Sequence, residues 1–346
     1  MKLNTKKSCS SATKMIEVGI VGATGYTGLE LVKILLNHPQ FHLAYIANSE
    51  GNTTINKLHP SLNGVCEDAV EKADTAKIAE VCSLVFLAVP HKTAMAYVKP
   101  LMELGVKVVD LSADYRLTQD VYEEFYVPHT DTKNLEHVVY GLPEMNREQL
   151  KSARLVANPG CFPTSAILGL LPFLDKRKEG TPIIIDAKTG VSGAGKKLSE
   201  TTHFVNVNDN LFAYNPLLHR HAPEIAQKLG VAFDEVNFVP HLVPITRGMI
   251  SSIYLQVEDD FDAFELLKTY YKNEKNVRVS EIPVNMKNVA GTNFCDIYVK
   301  HKGNMLFISS AIDNLMRGAS SQAVVNANLM MGLDENMGIS RIAYVP

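Results

Sequence analysis

The sequence predicts an α/β protein in two parts, a parallel-sheet part followed by a β-rich part, with a helix closing the chain. Three observations predict it. Short apolar runs alternate with helical patterns over the first half, which is the texture of βαβ units. Strand-like runs crowd the stretch after about residue 160, and helical periodicity returns over Asn314 to Met331 with Leu315, Val324, Val325 and Leu329. The length of 346 residues suits one large or two interlocked domains, and 46% hydrophobic with 21% charged residues excludes a disordered chain. Lys+Arg 34 against Asp+Glu 37 gives −3, so no broad basic surface for nucleic acid is expected.

Taken in order, Met1 to Met15 carries Lys2, Lys6, Lys7 and Lys14 without an apolar core, and reads as a loose tail over 1–14 or a short organellar targeting piece. Ile16 to Val21 is a strand and Thr27 to Asn37 a helix, with Leu29, Val32, Leu35 and Leu36 on one face until His38-Pro39 stops it. Phe41 to Ala47, Ser83 to Val89, Val106 to Leu111 and Arg154 to Ala157 follow as buried strands. Beyond them Ile183 to Lys188, Val236 to Val243, Met249 to Val257 and Asn276 to Ser280 are strand-like. Asn293 to Lys300 and Asn304 to Ser310 flank a hairpin signal at Gly303, and one long helix is expected near Phe261 to Asn273. The longest apolar runs, Val81 to Pro90 and Ala166 to Leu174, are too short to span a bilayer. Five scattered cysteines without a CxxC pair argue against a disulfide scaffold or a zinc site, and for a reducing compartment, the cytoplasm.

Gly22-Ala-Thr-Gly25-Tyr-Thr-Gly28 lies between a strand and a helix. Glycine there permits a tight turn and lets a pyrophosphate approach the backbone at a helix N-terminus, the mark of a Rossmann-type dinucleotide domain. At the tip of the next strand, Ala47-Asn48-Ser49-Glu50 offers no carboxylate in the place that would bind the ribose hydroxyls of NAD, which leans the reading to NADP, with Glu50 one residue beyond. Asn158-Pro159-Gly160-Cys161-Phe162-Pro163-Thr164 puts Cys161 between a strand and an apolar helix, where free N–H groups and the helix dipole favour a thiolate nucleophile. Its proton partner is sought in His219-Arg220-His221, where metal ligation, phosphate binding and acid–base work compete; metal is the poorest, for lack of a ligand cluster. Thr189-Gly190-Val-Ser192-Gly193-Ala-Gly195-Lys196-Lys197 could cradle an anion, lie against a cofactor ring or merely connect. Arg116, at the end of a parallel strand in Asp110 to Leu117, is either a clamp for phosphate or carboxylate or the local partner of Asp114.

Together these segments resemble the N-acetyl-gamma-glutamyl-phosphate reductase family, through GATGYTG at 22–28, AVPH at 88–91, DLSADYRL at 110–117, YGLPE at 140–144, ANPGCFPT at 157–164, GVSGAG at 190–195, HRHAPEI at 219–225, VPITRG at 243–248 and DNLMRGA at 313–319. The resemblance implies a Rossmann-type NADP domain of residues 15–160 and 313–346. It implies an α/β catalytic and dimerisation domain of 161–312 with a mixed, largely antiparallel sheet, and a homodimer or homotetramer. Cys161 is then the nucleophile and His219 the acid–base residue; Arg116, Asn158, His221 and Arg247 are expected on the acyl-phosphate substrate. Gly22, Thr24, Gly25, Tyr26, Thr27, Gly28, Ser49, Ser192, Gly193 and Asn314 are expected on NADPH, with no metal, no nucleic acid and no membrane involved. Aspartate-semialdehyde dehydrogenase, of the wider superfamily, is the nearest alternative. It carries a histidine where Met249 stands here and a glutamine at Thr189. Relatives acting on carrier-linked aminoadipyl phosphate are a closer alternative; a cofactor-free cysteine hydrolase or a non-catalytic NADP sensor are remoter ones. Ser165, where Gly or Ala is more typical, and Lys196-Lys197, where Arg is common, depart from the family pattern.

Overall fold

The computed structural model describes residues 15–258 and 260–344, so the tail expected over 1–14 lies outside the described residues. An eight-stranded sheet is built in the spatial order Thr53–Thr54, Ala69–Lys72, Phe41–Asn48, Ile16–Val21, Leu84–Leu87, Lys107–Asp110, Leu155–Ala157, Val139–Tyr140. Its neighbours run parallel except for the first pair. Buried strands such as Leu84–Leu87 are apolar at every position because helices cover both faces. Strand order turns around Ile16–Val21, which lies between the second strand of the chain and Leu84–Leu87; the crevice beyond such a switch point is where ligands bind in open α/β sheets.

A second, seven-stranded sheet has the order Phe212–Ala213, Val236–Val243, Ile183–Gly190, Met249–Gln256, Met305–Ile312, Cys295–Lys302, Val277–Val279. Four of its six pairings are antiparallel, which makes it mixed and largely antiparallel as expected. The hairpin turns at Gly303, which has φ 60, with Lys302 facing Met305. Residues alternate between buried and open along Val236–Val243 and Met249–Gln256, so one face meets the core helices Cys161–Leu170 and Ala222–Leu229.

The long helix expected near Phe261 to Asn273 is present but shorter, Ala263–Tyr270, and Ala222–Leu229 is a helix of the same length, eight residues. Two turns carry too short an apolar stripe to be told from loop by periodicity. The closing segment begins as a π-turn, Met316–Ser320, and continues as the α-helix Ser321–Met330. Every residue of that helix is buried. Ala323, Val324 and Val325 share a core with Ile20 and Leu31 of the first sheet and its first helix. Its amides find partners: Gln322 and Asn326 both donate to the Gly141 carbonyl, at 3.0 and 2.9 Å, and Asn328 donates to Glu335 and Met337 carbonyls.

Candidate active site

The glycine loop joins Ile16–Val21 to the helix Tyr26–Leu36. Gly22 holds φ 99, and a side chain on it would collide with the Ala88 carbonyl. A Cβ on Gly28 would stand 2.5 Å from the Gly22 oxygen, so these two glycines are demanded by packing. Gly25 differs: it caps the helix, no side chain bonds to its first N–H groups, and a Cβ there would meet nothing within 4 Å. Free donors and open space at a helix start fit a dinucleotide pyrophosphate. Gly28→Ala is therefore expected to lower the thermal midpoint. Gly25→Ala should leave it unchanged yet weaken dinucleotide binding by about tenfold or more, measured by thermal melts and titration.

Around this loop the second strand's tip is held by Asn48, whose amide donates to Thr24 Oγ1 at 3.1 Å and whose carbonyl accepts from Glu50 N and Gly51 N. Ser49 is exposed beside it, and Tyr26 is half-open to solvent. The Thr27 carbonyl accepts from Ser320 Oγ at 2.9 Å. From the second sheet, the turn carrying Ser192 and Gly193 approaches the same loop through Lys196 Nζ, 3.3 Å from the Thr24 carbonyl. Asn314 Nδ2 donates to Ser192 Oγ at 2.9 Å and its carbonyl accepts from Gly248 N. Hydrogen bonds thus link the segments expected on the cofactor, the strand tip and the Lys196 turn to Thr24 and Asn314 to Ser192.

Cys161 opens the helix Cys161–Leu170, with Gly160 as N-cap. Glu224, almost fully buried, shapes this turn: it accepts from Gly160 N at 2.9 Å and Tyr140 OH at 2.8 Å, and faces Arg116 Nη1 at 3.3 Å. A Cβ on Gly318, in the π-turn, would lie 2.6 Å from Cys161 Cβ, so that segment is the wall behind the sulfur. The His219 ring packs edge-on at 5.7 Å against Phe162, which follows the cysteine, and at 4.8 Å against His221. His219 Nδ1 accepts the His221 N–H at 3.1 Å, which leaves the proton of the neutral ring on Nε2. Desolvation, then the Arg220 charge, pushes the His219 imidazolium down to about 4, and burial drives His221 well below the ordinary range.

Residues 17–153 match the family described as semialdehyde dehydrogenase, NAD binding domain, and residues 161–314 match semialdehyde dehydrogenase, dimerisation domain. An N-acetyl-gamma-glutamyl-phosphate reductase from Sulfurimonas denitrificans is 74% identical over 331 residues, 96% of this chain and 99% of that one. Another from Sulfurovum sp. is 58% identical over 335 residues, 96% of this chain and 100% of that one. The chain belongs to the N-acetyl-gamma-glutamyl-phosphate reductase family. It is an oxidoreductase whose first part is a nucleotide-binding domain. Among solved structures, aspartate semialdehyde dehydrogenase II of Vibrio cholerae complexed with ASA shares the fold at a TM-score of 0.69 and 17% identity, over 92% of this chain and 99% of that one. The aspartate semialdehyde dehydrogenase with NADP from Candida albicans does so at 0.67 and 15%, over 94% and 100%.

Against the N-acetyl-gamma-glutamyl-phosphate reductase pattern, the structure corrects two expectations, a resting thiolate at Cys161 and an Asp114–Arg116 pair. Burial pushes the Cys161 thiol up to about 11, outweighing the N–H groups of Phe162 and Cys161 and the Arg116 charge; a resting thiolate is therefore not what the helix start delivers in the free protein. Alkylation of Cys161 in the free enzyme should rise about tenfold per pH unit between about pH 7 and 9, because the thiolate fraction climbs that way below its pKa. A rate already level at neutral pH, by peptide mapping of iodoacetamide adducts, would contradict this. Asn158, expected on the substrate, has an amide that reaches the Ala319 carbonyl at 3.2 Å and an oxygen that accepts from Asn326 at 3.1 Å. Arg247, also expected on the substrate, is paired with Glu30 at 2.6 Å and with Asp313 at 3.3 Å. Asp114 does not pair with Arg116; it accepts from Lys92 N, Ala94 N and Tyr122 OH. Arg116 is buried, with Nε on the Asn158 carbonyl at 2.8 Å and Nη2 on the Leu111 carbonyl at 2.7 Å. Glu224 is the residue that sequence reasoning left out. Its signal was the HRHAPEI segment itself, where a glutamate in the first helical turn sits three residues after His221.

Proposed function

We propose that the chain reduces N-acetyl-L-glutamyl 5-phosphate to N-acetyl-L-glutamate 5-semialdehyde and phosphate, with NADPH, in cytoplasmic arginine biosynthesis. The observation that carries this reading is the Cys161 turn, where a cysteine opens a helix and the His219 ring packs on the next residue, Phe162, in a chain 74% identical to a reductase of that name. The exposed Ser49 and the absence of a carboxylate at the Asn48 position of the strand tip support NADP over NAD. The split into 15–160 with 313–346, around 161–312, belongs to the same proposal, supported by the packing of the closing helix on the first sheet. So does assembly as a homodimer or homotetramer.

Cys161 Sγ, once deprotonated, attacks the acyl carbon; the C–O bond to phosphate breaks and phosphate leaves carrying the proton the thiol gave up. Bound NADPH supplies the hydride that reduces the resulting thioester. Backbone N–H groups at the start of the Cys161 helix hold the oxyanion, and the His219 Nε2–H donates to it. As the carbonyl re-forms, the S–C bond breaks and the sulfur departs as thiolate. Arg116 adds positive charge beneath the Gly160 turn, where a Cβ would lie 2.9 Å from its Nη1.

Aspartate semialdehyde is the poorer substrate for a specific reason. Met249 and Thr189, the two departures from that enzyme, are register partners on adjacent strands, and both are buried, so neither position offers an acid–base group to the cleft. The test follows NADP+ reduction in the oxidative direction with N-acetyl-glutamate semialdehyde. Activity that requires inorganic phosphate is the expected result; turnover with aspartate semialdehyde alone would overturn the substrate, and no NADP+ reduction with either would overturn the reading.

A further inference from the structure

An acyl phosphate brings a doubly charged phosphoryl group to Cys161, yet Arg116 is walled in by two carbonyls and Glu224 and has few N–H groups left to offer. The cleft beside it holds a second, open set of donors. We propose that Arg220 and His91 grip the phosphoryl group, fixed by the Tyr126 ring between them; this rests on the acyl-phosphate reading above.

The Arg220 guanidinium lies over the Tyr126 ring, 5.1 Å from its centroid, and the His91 ring meets the same ring edge-on at 5.9 Å. Stacking on an aromatic holds a guanidinium plane in place while leaving its N–H edge free for an oxyanion. Arg220 is exposed and has no carboxylate partner among the described residues. Two buried carboxylates of this region are already committed, Glu224 to Gly160, Tyr140 and Arg116, and Asp114 to two backbone N–H groups and Tyr122. His91 Nδ1 accepts the Ala113 N–H at 2.9 Å, so the neutral ring carries its hydrogen on Nε2. Although solvent reaches this ring, the surrounding protein and the charges of Arg116 and Arg220 push its pKa down to about 3, so it serves as a fixed N–H donor. Position agrees with the chemistry. Arg220 adjoins His221 in the chain and His91 holds Ala113, three residues before Arg116; a Cβ on Gly160, the residue before the nucleophile, would stand 2.7 Å from His221 Nε2 and 2.9 Å from Arg116 Nη1. The leaving oxygen is bonded to the carbon that Cys161 attacks, so the phosphoryl group must lie next to this turn.

The test is steady-state kinetics in the oxidative direction with inorganic phosphate varied. Arg220→Gln should raise the KM for phosphate by about tenfold or more while the KM values for semialdehyde and NADP+ stay near wild type, and Arg220→Lys should recover part of the loss. His91→Asn should shift the same constant by a smaller factor. An unchanged phosphate KM, or a rise confined to the semialdehyde KM, would overturn the assignment. A second readout needs no turnover: inorganic phosphate should slow alkylation of Cys161 in the wild type and not in Arg220→Gln. Wild-type enzyme whose turnover ignores phosphate would sink the acyl-phosphate reading, whereas wild-type Cys161 that phosphate fails to protect would sink the Arg220–His91 site.

Discussion

Cys161→Ser should lower turnover at least about a thousand-fold and leave dinucleotide binding intact, because a serine hydroxyl is a far weaker nucleophile than a thiolate and a poorer leaving group from the tetrahedral adduct. The change removes no packing of consequence. Cys161 is half-buried, the atoms nearest Gly318 are its Cα and Cβ, which serine keeps, and the glycine loop follows a different strand, Ile16–Val21. Thermal midpoint and dinucleotide affinity are the controls. Loss of both together with activity would mean that the substitution had damaged the fold rather than the chemistry. His219→Asn and His221→Asn, made in parallel, separate the two histidines: the larger loss of kcat is expected at His219, whose Nε2 has no hydrogen-bond partner among the described residues, and the larger loss of stability at His221, which is more deeply enclosed.

Glu224→Gln is expected to be the most destabilising single change near the site. The glutamine keeps the shape and can still accept from Gly160 N or Tyr140 OH, but the Arg116 guanidinium loses its carboxylate while remaining buried. Breaking a buried pair by removing one partner costs on the order of 3–5 kcal/mol, since the remaining charge stays out of water without compensation. A clear fall in thermal midpoint is the expected observation, and Glu224→Gln combined with Arg116→Met should recover much of it, because the orphaned charge is then gone. A single variant as stable as wild type would show that the pair is not what holds this turn. Activity should stay low in the double variant, which lacks the positive charge under Gly160.

Much of this architecture is legible in the sequence. Ile16–Val21 and Val236–Val243 are long apolar or alternating runs with clear stops, and both strands end where the pattern ends. The glycine loop and the cysteine segment could be placed because each lies between a strand and a helix whose signals are strong, and Pro163 suits the first helical turn. What was not legible depends on contacts between distant segments. Thr53–Thr54, Val139–Tyr140 and Phe212–Ala213 have two residues each and exist only because a neighbouring strand offers a free edge. No local pattern reveals that Arg247 faces Glu30, 217 positions away, or that Asn158 reaches Asn326 across 168. The thiol of Cys161 makes the same point: a helix start argues for thiolate, and only the surrounding burial decides against it.

The most direct test is to catch the acyl group on the protein. Enzyme mixed with N-acetyl-glutamate semialdehyde and NADP+, without phosphate, then quenched in acid and mapped by mass spectrometry, should carry the N-acetyl-glutamyl group on the peptide containing Cys161. Inorganic phosphate added before the quench should clear it. An enzyme that reduces NADP+ with this aldehyde yet never shows the adduct, or shows it on another residue, would contradict Cys161 as the nucleophile.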